Sequence, residues 1–180
     1  MAIKVMKFVL LPVLLTILVI GGCNLVTGTF VIDLEIDHSE IQSHGTFEHF
    51  AVNLDNNDTW NQHKDKIKDI DNVGFQLWVT NNGASSIGWE VYADTTSVPH
   101  SDIASIKSDA KLILAGLTLP PGETYIDWPT SLIYLNRKEL PIFKQWVEGG
   151  VFDIYTITDV LPYNVTIGSA KVIVTVTAGP

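Results

Sequence analysis

Apolar and polar residues alternate along much of this chain. In FVIDLEID, residues 30–37, Ile32, Leu34 and Ile36 fall on one side and Asp33, Glu35 and Asp37 on the other. Period-two alternation is the pattern of a strand with one buried and one wet face. The same rhythm returns at 47–55, with Phe50, Val52 and Leu54 on one side, and at 73–80, where Phe75, Leu77 and Val79 oppose Gln76, Trp78 and Thr80. Residues 73–80 and 86–94 flank Asn81-Asn82-Gly83, and Asn-Gly accepts the positive φ of tight turns, so the pair reads as a hairpin. Further strands are predicted at 111–119, 124–128, 151–158 and 170–178, with Pro120-Pro121-Gly122-Glu123 as a turn. The polar block 55–72 reads as a loop with one helical turn.

A helical rhythm appears in one region only. Leu140, Phe143, Trp146 and Val147 recur at three to four residues, Pro141 suits a first turn, and Gly149-Gly150 is the stop. A shorter helical piece is expected at 131–137. Many short strands with few helices between them argue for two packed antiparallel sheets rather than a βαβ series. The expectation is therefore a mainly β fold: a two-sheet antiparallel β-sandwich with one or two short helices near residues 131–148.

The first 23 residues follow a different logic. Lys4 and Lys7 precede an apolar run from Phe8 to Ile20, interrupted in polarity only by Thr16, and Gly21 and Gly22 follow. A basic tip, a short apolar core and small residues are the parts of a secretory signal peptide. The run is about 13 residues, short of the roughly 20 that a membrane-crossing helix needs. It ends at Cys23, the single cysteine. Ile20-Gly21-Gly22-Cys23 resembles the lipobox of bacterial lipoproteins. That resemblance implies cleavage before Cys23, a diacylglycerol thioether on its sulfur, and anchoring in the bacterial cell membrane or the outer membrane. Several acyl chains hold a protein stably where one does not. The expected organisation is a signal peptide at 1–22, a lipidated tether at 23–29 and one β-sandwich domain at 30–180.

Charge narrows the partners. All 20 Asp and Glu lie beyond residue 22, against nine Lys and Arg there, a formal charge of about −11. No basic patch suits nucleic acid, and a surface of this sign is repelled by anionic lipid. With Cys23 lipidated no disulfide is available, so stability rests on packing, self-association or bound ions.

Candidate chemistry is sparse. His38, His44, His49 and His63 are interleaved with carboxylates, but their spacings place no two imidazoles together locally, and they read as solvated groups on an acidic β face. Asp55, Asn57 and Thr59 take the first, third and fifth places of a calcium loop, yet Trp60 stands where an EF-hand needs Gly and Lys66 where it needs Glu. Two readings remain for Asp55, Asn57 and Asp58: a looser calcium site, or a polar connection folded through Asx turns. No Gly-x-Ser-x-Gly elbow and no phosphate-cradling loop occur. Paired carboxylates for glycoside hydrolysis need a separation that sequence does not supply.

Five tryptophans are the other lead. Trp78, Trp89 and Trp146 read as core or sheet-packing positions, although the polar-patterned face of Trp78 also suits an edge, a second layer or a site. Trp60 and Trp128 sit beside Asn61 and Asp127 at loop or strand-end positions, the equipment for holding a sugar ring or a partner's apolar side chain. The leading expectation is a membrane-anchored envelope lipoprotein, not an enzyme, that binds an envelope protein or glycan or serves as a structural module. A calcium- or carbohydrate-binding accessory domain and an envelope hydrolase using paired carboxylates are the alternatives. Cys23→Ser is expected to leave the chain unprocessed or to release it from membranes. Intact mass and membrane fractionation measure this, and no change in either would overturn the lipobox reading.

Overall fold

The computed structural model describes residues 28–36 and 41–178. The expected leader, Cys23 and His38 lie outside the described residues. Among the described residues nine strands form two antiparallel sheets: β1 (Gly28–Ile36), β2 (Ile41–Ser43), β3 (Phe47–Asn53), β4 (Ile67–Asn81), β5 (Ile87–Asp94), β6 (Lys111–Leu119), β7 (Gly122–Ile126), β8 (Val151–Thr158) and β9 (Val165–Ala178). One sheet has the order β1-β9-β4-β7 and the other β2-β3-β8-β5-β6. Among the described residues there are four α-helices: α1 (Asp58–His63), α2 (Ile103–Asp109), α3 (Trp128–Tyr134) and α4 (Leu140–Gly149). The expected mainly β sandwich with one or two helices near 131–148 is therefore corrected to a mixed α/β arrangement. The helical turn expected within 55–72 is α1, and α2 was not expected; both are short and locally capped. Asn57 accepts from the Trp60 N–H to start α1, and Asp102 accepts from the Ser105 N–H to start α2; such caps satisfy amides that a helix start leaves open.

The two sheets share one core. Val73, Phe75, Leu77 and Val79 of β4 and Val172, Val174 and Val176 of β9 meet Phe50, Trp89, Val91, Phe152 and Ile154 from the other sheet. Helix α4 closes this layer through Phe143, whose ring lies 5.9 Å from Phe75 and 5.6 Å from Phe152. Its end is as expected: Gly150 takes φ +79°, and its N–H bonds back to Trp146 and Val147.

Pairing departs from the expected hairpin. β4 pairs with β7 and β9, and β5 with β6 and β8, so the chain changes sheets between 82 and 86. It changes sheets again between β6 and β7, at Gly122 with φ +94°. Buried Asn81 ties these crossings together: its Nδ2 donates to the Ser85 and Leu119 carbonyls, and its Oδ1 accepts from the Gly83 N–H. β4 also begins at Ile67 rather than 73. Register shifts between Ile67 and Asp69 and between Ile70 and Asn72 put Ile67, Ile70 and Val73 three apart, which conceals the strand's alternation.

Helix α3 continues from β7 along the β4 edge. Ser131 is fully buried and accepts from the Phe75 N–H at 2.9 Å. Leu135 then bridges to Leu114, and Asn136 donates its backbone N–H to Ile113 and its Nδ2 to Leu112, fastening the chain to β6 of the opposite sheet. Among the described residues no helix is long and apolar enough to cross a membrane.

At the rim of the core Trp89 Nε1 donates to Tyr163 Oη at 3.4 Å, and Tyr163 Oη and Thr156 Oγ1 are hydrogen-bonded at 2.7 Å. Burial pushes the Tyr163 phenol up to about 12, with those two hydrogen bonds pulling the other way. An unfolded tyrosine ionises near pH 10. Between about 10 and 12 the native state thus holds more protons than the unfolded state, and this contribution to stability, complete below about 10, is lost as pH rises. Tyr163→Phe is expected to make the alkaline loss of stability shallower, read as the urea midpoint against pH.

Candidate functional site

The polar faces of both sheets carry groups that their patterning does not explain. On the four-stranded sheet Gln76, Trp78 and Thr80 face away from the core. Trp78 and Tyr125 are cross-strand partners on β4 and β7, with ring centroids 4.6 Å apart and planes inclined by 30°. Direct cross-strand aromatic pairs of this kind are mutually stabilising by roughly 0.2–1 kcal/mol. Here they also stay in water, Trp78 at 42% and Tyr125 at 43% exposure. The rows on either side are polar: Gln76 is paired with Lys171, Thr80 with Glu123 and Thr166, and Trp78 itself with Ser169. Asn82 Nδ2 donates to Thr166 Oγ1 at the end of the face. Trp78 is the one exposed tryptophan of the five.

The outer face of the five-stranded sheet is built differently. His49, Tyr155 and Tyr92 form one cross-strand row, and Asp153 and Asp94 are partners in the next. His49 Nε2 and Asp153 Oδ1 are 2.6 Å apart, and the His49 ring stacks on Tyr155 at 4.8 Å. His49 Nδ1 is buried and has no hydrogen-bond partner among the described residues. His100 Nε2 lies 3.0 Å from Asp94 Oδ2, and the His100 backbone N–H donates to Tyr155 Oη. Burial raises the Tyr155 pKa, helped by the charges of Asp153 and Asp94 and opposed by the hydrogen bond from His100. Burial also pushes Tyr92 up to about 12, with the Glu90 charge and the hydrogen bond to Glu90 adding to it. Helix α2 packs Ile106 and Ala110 beside Phe47, Tyr92, Tyr155 and Ile157. These imidazoles, phenols and carboxylates are therefore mostly covered. They hold residues 95–102 and α2 against the sheet.

The residues singled out in the sequence are scattered. Trp60 is 3% exposed and belongs to the main core. Trp128 is half-buried over Gly74, where an added Cβ would lie 2.7 Å from its ring, and its Nε1 is buried with no hydrogen-bond partner among the described residues. Its neighbour Asp127 caps α3; hydrogen bonds from Thr130 hold that carboxyl below its usual range. Trp60 and Trp128 thus do not meet on one exposed surface. Asp55 Oδ1 pairs with Lys64 Nζ at 2.7 Å, Asn57 caps α1, and Asp58 opens its first turn. Among the described residues no group of three or more His, Cys, Asp and Glu is arranged to hold a metal. The groups that do come together were missed because they are distant in sequence. Asp94 and Asp153 lie 59 positions apart and meet only through the β5–β8 register. Trp78 stood out as an aromatic on a polar face but was read with Trp89 and Trp146 as a core or sheet-packing position, whereas it is 42% exposed.

No protein-family model and no curated protein matches this chain, so its chemistry is argued from its own residues.

A double-mutant cycle tests the covered network. His49→Ala and Asp153→Ala are each expected to cost about 1–3 kcal/mol, because each strands a buried polar partner. The double variant is expected to lose about 0.5–3 kcal/mol less than the two together, measured by urea denaturation; strict additivity would mean the pair is uncoupled.

Proposed function

We propose that this chain is a lipid-anchored, non-catalytic binding module of a bacterial cell envelope, with its contact surface around Trp78 and Tyr125. The exposed, stacked pair of aromatics carries the reading. Water-exposed aromatic area is released from solvent when a partner covers it, and large rings that lose little conformational freedom dominate contact energies. A small apolar centre with a polar rim is the usual make-up of such a surface. Gln76, Thr80, Glu123 and Ser169 supply that rim. The partner is an envelope protein or glycan that presents an apolar or ring face.

Support for the anchor is the leader ending in Cys23, with the acidic composition leaving lipid as the means of attachment. The buried setting of the His49 and His100 pairs favours binding over catalysis, since a general acid or base must reach its substrate.

The test uses the full chain in lipid nanodiscs, incubated with envelope fractions from source cells lacking it. Trp78→Ala with Tyr125→Ala is expected to weaken retention at least about tenfold, the scale of a single contact hot spot, while circular dichroism is unchanged. Equal retention by the folded double variant would remove this surface from the proposal.

A further inference from the structure

A second concavity lies on the outer face of the five-stranded sheet, away from the aromatic pair. It is a half-open cleft of about 240 Å³ lined by Gly88, Glu90, Lys107, Gly116, Thr118 and Asp159, and by Trp89 and Leu117, whose side chains belong to the core behind the sheet. We propose that this cleft binds a single saccharide ring.

The cleft is a product of the β5–β6 pairing. Trp89 is partnered with Leu117 and Val91 with Leu114, so Ala115 and Gly116 together face Glu90. This is a β-bulge, and Gly116 carries its φ of +77° where a side chain would be strained. At the other end Gly88 admits Asp159: a Cβ there would sit 2.9 Å from Asp159 Oδ2. The Gly88 N–H donates to Asp159 Oδ1 at 2.7 Å, and the Asp159 N–H returns a hydrogen bond to the Gly88 carbonyl at 3.1 Å. Two glycines thus leave the floor without side chains, and Asp159 is fixed as one wall. Lys107 on α2 is the other wall, its Nζ 3.1 Å from Glu90 Oε2. That same oxygen accepts from Tyr92 Oη at 3.0 Å. Glu90, Asp159, Thr118 and Lys107 thus bring two carboxylates, a hydroxyl and an ammonium to the lining of the cleft.

The class of ligand follows from these groups. Two carboxylates against one ammonium repel an anion. A cationic amine would suit the carboxylates but would be set beside Lys107. Hydroxyl groups both donate and accept, so a polyol can donate to Glu90 and Asp159 while accepting from Lys107 and Thr118. The volume lies below the roughly 300–1,000 Å³ of drug-sized pockets and suits one ring rather than an extended chain.

The experiment is saturation-transfer NMR on the full chain in detergent micelles, with D-glucose, D-galactose and N-acetyl-D-glucosamine as probes. Saturation transfer to at least one sugar is expected. It should fall at least about tenfold in Glu90→Gln with Asp159→Asn, which keep the size of both groups, and should weaken in Lys107→Met, a change on an exposed helix face. Transfer should remain measurable in Trp78→Ala with Tyr125→Ala, and be lost when the Glu90 and Asp159 changes are added, which separates this cleft from the aromatic surface. Absence of transfer from all three sugars would overturn the proposal. So would transfer that survives both cleft variants, transfer lost only with the aromatic pair, or the binding of putrescine in place of sugars.

Discussion

The fold depends on one constraint: two antiparallel sheets bury a common face only if the chain repeatedly passes between them. Sheets with no strands in common need corners where backbone groups leave one ladder before joining the next, and every group buried there needs a partner. Asn81 resolves this at the β4–β5 crossing. Its amide bonds Ser85 on its own connection and Leu119 at the neighbouring β6–β7 crossing, while its carbonyl oxygen takes the Gly83 N–H. Both crossings hang on one buried side chain, and the alignment of Val79 and Ile87 in the shared core follows from it.

The helices settle what the sheets leave open. β7 pairs with β4 only from Leu77 to Asn81, so the upstream edge of β4 would be bare. Helix α3 covers that stretch, and Ser131 takes the Phe75 amide that no strand reaches. Gly74 lets Trp128 lie against the strand beside it. At one end of the core α4 contributes Phe143 between Phe75 and Phe152. The burial of an aromatic side chain of this kind is worth about 1.5–3 kcal/mol. For a chain with no disulfide available, such closure by short helices carries what cross-links do elsewhere.

Local patterning made most strands legible, as at β3, β5, β6 and β8, because a half-buried strand writes its two faces directly into its sequence. The C-terminal end of α4 was equally plain, since a left-handed cap asks for glycine. Pairing was not legible. Asn81-Asn82-Gly83 has hairpin chemistry, but Gly83 does not use the positive φ it offers, and the choice of partner strand is made by the whole core. Residues 67–72 were hidden because bulges shift the phase of alternation, and α2 because seven residues are too few to show a period. Of the candidate site residues, Trp60 and Asn57 turned out to serve one structural purpose together: the Asn57 cap positions the helix that delivers Trp60 to the core. Sequence shows such residues as aromatic and polar neighbours and is silent on which way the helix turns them.

The informative positions share a property. Each contradicts the face or element in which it stands: Trp78 is an aromatic on a wet face, His49 an imidazole beneath a helix-covered layer, and Gly116 a glycine inside a strand. A residue that opposes its pattern either finds compensation in the fold or is kept for contact outside it. His49 is compensated, by Asp153 and the Tyr155 ring. Gly116 is explained locally by the bulge, but the bulge leaves a cleft that packing does not fill. Trp78 is compensated only in part, since Tyr125 covers one side of its ring and much of its surface remains in water. Incomplete compensation therefore separates the aromatic pair and the cleft from the histidine network. On this criterion the two sheets have opposite outward roles. The four-stranded sheet presents a flat apolar spot suited to a broad partner, and the five-stranded sheet, largely roofed by α2 and residues 95–102, admits only a small polar guest where its roof ends.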